Sequence, residues 1–175
     1  MSLLSRLIGD RSDRDAYLPL YRAAVAVGRD PAWYRAGQVP DTVSGRFDVI
    51  AAVFSLLLLR LEREDTAEAR SATVLLTELF ADDMDGSLRQ IGIGDLVVGK
   101  HMGKLMGALG GRLGAFRDAG ADPAALAAAA ERNIFHEAPP SSEALDFVAA
   151  RLARLQGALA AQPVAALLGG RMPQP

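Results

Sequence analysis

The run Val49-Ile50-Ala51-Ala52-Val53-Phe54-Ser55-Leu56-Leu57-Leu58-Leu59 decides the fold. Arg46 and Asp48 precede it and Arg60 closes it, so it is too short for a membrane span, which needs about 20 apolar residues. Phe47, Ile50, Ala51, Phe54, Leu57, Leu58 and Leu61 recur at helical spacing, and Val49, Val53 and Leu56 line a second side. A helix apolar nearly all round has no face to offer water. The spacing therefore predicts a buried helix at the centre of a bundle.

Punctuation on either side is helical too. Asp30-Pro31 and Asp122-Pro123 each offer a capping carboxylate followed by proline at the first helical position. Asp65 with Glu68 resembles a capping box, and Pro139-Pro140-Ser141-Ser142-Glu143 ends one helix and opens the next. The predicted helices are Asp13–Gly28, Pro31–Ala36, Thr42–Arg63, Thr66–Ile91, Asp95–Ala119, Pro123–Phe135 and Ser142–Gln162. Val74, Leu75, Leu79 and Leu88 are expected to face inward, as are Leu145, Val148, Leu152, Leu155 and Leu159. No alternating apolar run of useful length suggests a strand. The expected fold is all-α, a compact bundle of about six to seven helices around the central apolar one. Residues 11–168 form its single domain, 1–10 a tail or short amphipathic segment, and 169–175 a loose C-terminal tail.

Composition narrows the chemistry. The formal charge of -2 gives no basic surplus for phosphate backbones, so no specific nucleic acid is expected as a partner. Without cysteine there is neither disulfide nor thiolate, and His101 and His136 are the only histidines. Met1 to Gly9 is apolar but contains Arg6 and lacks a small-residue cleavage site, so a cytoplasmic chain is expected, with peripheral contact at the inner membrane allowed.

Three features of the glycine-rich middle invite functional readings. Gly94 to Lys100 approaches a phosphate-binding loop, but His101 stands where a hydroxyl must hold magnesium, and Leu96-Val97-Val98 suits a packed helix. Asp83-Met84-Asp85-Gly86 resembles the middle of a calcium loop, but Ala81 and Gly92 occupy the positions of the first ligand and the bidentate glutamate. A solvated acidic turn or a late helix kink accounts for it. Gly99, Gly103, Gly107 and Gly111 share one helix face, with Gly110 and Gly114 beside them, and each costs about 0.5–1 kcal/mol against alanine. Close packing of another helix in the core is the expected compensation, with a partner helix as the alternative. Trp33-Tyr34 reads either as an exposed anchor for a partner or as a lid over the core. His136 is expected at a helix end, complementing its carbonyls. No serine or histidine stands in a nucleophilic constellation, so no catalytic residue, cofactor or metal ligand is assigned.

Leu20-Tyr21-Arg22-Ala23, Gly28-Arg29-Asp30-Pro31 with Trp33-Tyr34, Val39-Pro40-Asp41-Thr42 and Gly45-Arg46-Phe47-Asp48 together resemble the ubiquinol–cytochrome c chaperone family. Leu79-Phe80, Asp83-Met84-Asp85, Leu88-Arg89, Gly92-Ile93-Gly94-Asp95-Leu96 and Lys100 continue the likeness. The resemblance implies an all-helical factor that binds newly made cytochrome b, or another subunit of the b–c1 complex, during assembly, with a small helper protein beside it. The candidate client surface is Trp33, Tyr34, Asp83, Asp85, Arg89, Asp95 and Lys100. The chain departs from the family's pattern at Val53, where relatives carry a histidine, and at Leu109, Phe116 and Arg117. Two other functions compete with this one. One is a magnesium and phosphate module using Asp82 to Asp85 with Lys100; the other is a scaffold whose glycine face holds one fixed partner helix.

Overall fold

A computed structural model describes residues 14–90, 95–136 and 139–175, with the side chains of 88–90 and 95–101 outside the description. Among the described residues there are helices and no strand: α1 (Leu18–Gly28), α2 (Ala32–Arg35), α3 (Val43–Glu62), α4 (Ala67–Gln90), α5 (Asp95–Ala119), α6 (Pro123–Ile134), α7 (Ser142–Ala161) and α8 (Val164–Leu168).

The helix α3 is the axis of the bundle. Every residue from Val49 to Leu59 is at most 5% exposed. Burying each of its large aliphatic side chains contributes about 1.5–3 kcal/mol, which is why the whole run is covered. Ser55 tolerates this position because its hydroxyl donates to the Ala51 carbonyl at 2.7 Å, leaving no polar atom without a partner. Tyr21 of α1 meets Phe54 edge-on at 6.0 Å, and Phe54 stacks on Phe80 of α4 at 5.0 Å. These three rings fasten α1 and α4 to α3. At the far end of α3, Arg60 Nε donates to the Leu159 carbonyl at 3.0 Å and Nη2 to that of Gln162 at 3.2 Å, covering the open carbonyls of α7.

The expected caps are mostly where the sequence put them. Asp122 accepts from Ala124 and Ala125 N–H, Ser141 from Ala144, and Asp30 from Ala32. Before α4 the cap is Thr66, which accepts from Ala69, rather than Asp65. Asp65 instead adopts φ 48° at the turn and pairs with Arg70 at 2.5 Å.

Four expectations change. Val74 is 58% exposed, while Leu75, Leu76, Leu79 and Phe80 make the inward stripe of α4. The step of about 100° per residue carries position 74 round to solvent from the buried Leu75. Asp82 to Gly86 lie within a continuous helix and not in a turn. The C-terminal residues pack back: Gln162 donates to the Arg171 carbonyl at 3.1 Å, Met172 lies against the core, and Gly170, at φ +88°, sits against Pro19. Lastly, Gly103, Gly107, Gly110, Gly111 and Gly114 of α5 have open space where a Cβ would stand. Among the described residues no helix approaches that face. The core side of α5 is carried by Leu109, Arg112 and Phe116 instead. Gly99 of the same series lies outside the described side chains.

Candidate functional site

A groove of about 800 Å³ opens between α1 and α4. Its floor is apolar, from Leu18, Val25 and Leu79, and its rim is charged, from Arg14, Arg22, Arg29, Asp82 and Asp83. The helical period generates the α1 wall: Leu18 and Val25 lie two turns apart at the floor, and Arg22, Ala26 and Arg29 share the exposed side. On the α4 wall Leu79 reaches the floor and the two aspartates stand one turn further on.

Partners divide the rim unevenly. Arg14 Nη1 meets Asp82 Oδ2 at 2.5 Å, and the Tyr21 hydroxyl donates to Asp83 Oδ2 at 2.6 Å. Burial pushes the Tyr21 phenol well above its ordinary value, and its bond to the Asp83 carboxylate adds to the rise, so the hydroxyl keeps its proton as a fixed donor. Arg22 and Arg29 are exposed, and their guanidinium groups have no hydrogen-bond or ion-pair partner among the described residues.

Two inner polar clusters are each built around a buried arginine, whose Nε has no hydrogen-bond partner among the described residues. Asp48, 3% exposed, pairs with Arg112, 5% exposed, through a short bond from Nη2 to Oδ1. Arg112 also donates to the Asn133 carbonyl at 2.8 Å and lies over the Phe47 ring at 5.3 Å. Burial pulls the guanidinium below its ordinary value while the Asp48 charge acts the other way. His136 Nδ1 lies 3.4 Å from Asp48 Oδ2, so its neighbour is a carboxylate as well as the helix end expected for it. In the second cluster Arg151 bridges Asp30 at 2.5 Å and covers the Trp33 ring at 4.7 Å. The Ala32 N–H holds the Asp30 carboxyl below its usual range; desolvation opposes this, and the Arg151 bond lowers it further.

The seven residues picked from the sequence do not all reach one surface. Asp83 lines the groove, and Asp85 follows it on α4. Trp33 is 0% exposed, with Nε1 donating to the Val27 carbonyl at 2.8 Å, so it is the lid over the core and not an exposed anchor. An indole with its N–H bonded gains more from burial than a surface would return. Tyr34 is half-buried and donates to the Gly28 carbonyl at 2.9 Å. Neither aromatic lines the groove. Arg89 lies on α4 and Asp95 and Lys100 on α5, with side chains outside the described residues. The backbone from Asp95 to Lys100 is helical, which removes the curled loop that phosphate binding needs. Among the described residues no three acidic or histidine side chains cluster as metal ligands, and no helix is long and apolar enough to cross a membrane.

The described residues form an all-helical domain with an open amphipathic groove between α1 and α4. Residues 35–173 match the model of the ubiquinol-cytochrome C chaperone family, and the chain belongs to that family. Its fold is similar to the crystal structure of the Cbp3 homolog from Brucella abortus, with a TM-score of 0.80 and 30% identity over 97% of this chain and 95% of that one. A search of curated protein sequences returns no match.

Proposed function

We propose that this chaperone binds newly made cytochrome b and supports assembly of the cytochrome b–c1 complex, without catalysing a reaction. The family match over residues 35–173 carries the reading, and the likeness across almost the whole chain to the Cbp3 homolog supports it. The α1–α4 groove supplies what a transient holder needs: apolar floor, open access and a charged rim. Of the residues picked from sequence, Asp83 lines this groove and Asp85 lies on the same helix, while Arg89 on α4 and Asp95 and Lys100 on α5 remain part of the proposed client surface.

Deleting the gene is expected to lower the assembled, haem-loaded b–c1 complex while cytochrome b transcript stays level. Spectra of reduced membranes and native gels measure this, and unchanged complex overturns it. Capture from solubilised membranes is expected to retrieve immature cytochrome b in substoichiometric amounts. A companion recovered one-to-one would favour the scaffold instead.

A further inference from the structure

The charges left over in the groove specify what lies in it. On the α4 wall Asp82 is met by Arg14 and Asp83 by Tyr21. On the α1 wall Arg22 and Arg29 are exposed and unmatched among the described residues. The groove therefore presents one wall of hydrogen-bonded carboxylates and one positive wall over an apolar floor of Leu18, Val25 and Leu79. Arg22 and Arg29 are seven positions apart, about 10 Å along the axis of α1.

We infer that the α1–α4 groove holds an amphipathic helix of the client whose apolar stripe is flanked, on one side only, by carboxylates two turns apart. This rests on the chaperone reading above and gives its client segment a chemistry. The apolar stripe fills the floor between the walls, as in other helix-in-groove interfaces. The acidic row lies along α1, where it meets Arg22 and Arg29. Turned round, the same helix would set its carboxylates against Asp82 and Asp83, so charge fixes which way it enters. A basic helix would set its charges against Arg22 and Arg29, or compete with Arg14 and Tyr21 for the two aspartates. An anionic lipid headgroup fits less well: two free arginines fall short of the roughly 4–8 basic residues of a polybasic membrane site, and a headgroup has no use for the floor.

The test uses the full chain and two labelled helix-forming peptides of about eighteen residues. Both carry one leucine stripe; one bears glutamates two turns apart beside it, the other lysines at the same places. Fluorescence anisotropy is expected to show the glutamate peptide binding at least about fivefold tighter, the effect of two exposed ion pairs. Arg22→Glu with Arg29→Glu is expected to reverse that order while circular dichroism stays unchanged, since both positions are exposed. Equal binding of the two peptides, or a preference that the double substitution leaves intact, overturns the inference. So does sedimentation with phosphatidylglycerol vesicles that the double substitution abolishes and the glutamate peptide does not compete away. Failure here leaves b–c1 assembly in the deletion strain untouched, whereas normal assembly with the peptide preference intact removes cytochrome b as client and keeps the groove.

Discussion

Two sets of glycines in this chain look alike on paper and differ in space. Gly28 and Gly45 stand where helices or turns are pressed together: a Cβ would lie 2.9 Å from Ile50 Cα at the first and 2.0 Å from the Pro40 carbonyl oxygen at the second. Gly103, Gly107, Gly110 and Gly111, the more regular series, are exposed and meet nothing within 4 Å. Regular spacing tells which face of a helix a residue shares, but not whether anything covers that face. The isolated glycines are the ones the fold requires. On α5 the contrast falls between neighbours, because Gly111 faces out and Arg112 faces the buried Asp48.

Substitutions test this division, and the largest effect is expected at Arg112. Arg112→Ala takes the buried guanidinium away from Asp48, which costs about 3–5 kcal/mol in urea denaturation. Adding Asp48→Leu is expected to recover much of the loss, and a single variant as stable as the parent would break the contrast with Gly111. Next comes Gly45→Ala, at about 3 kcal/mol, since a backbone carbonyl and not a flexible side-chain end must give way. Gly28→Ala is expected to cost about 2 kcal/mol by wedging α1 from α3. On the outer face of α5 the sign inverts: Gly103→Ala and Gly107→Ala are each expected to stabilise by about 0.5–1 kcal/mol. Destabilisation there would mean the open face is covered in solution.

The smallest effect is in acid. The folded-state carboxyl of Asp30 is held low, so its contribution is present above the unfolded value of about 3.9 and fades as pH falls through the folded one. Stability is expected to be flat in this respect from neutrality to about pH 5 and to drop below about pH 4. Asp30→Asn should flatten that drop, as seen in thermal melts across the range.

The sequence carried the parts of the fold that local chemistry determines. An uninterrupted apolar run announced α3, and Asp122 and Ser141 announced their helices because a cap and the N–H groups it serves lie within three residues. The family likeness was legible in the order of several short motifs. What depends on distant pairing was not. Asp48 and Arg112 are 64 positions apart, and only the packing of α3 on α5 makes them partners. A charge at the edge of an apolar run was the one sign that something must answer it. The groove was equally hidden, because its walls come from α1 and α4 and no local pattern says that these helices are neighbours. Trp33 was read as a surface candidate because α2 is a single turn, too short for periodicity to tell inside from outside.

The bond from Arg60 to Leu159 and Gln162 also has a consequence in time. The helix α3 has apolar residues on every side, and its far end is covered by residues synthesised about a hundred positions later. At the ~5–20 residues per second of translation, Leu56 and Leu59 wait roughly 5–20 s for α7 to arrive. During its own synthesis a family member that shelters unfinished proteins is itself one, and any slowing between α3 and α7 lengthens the exposure.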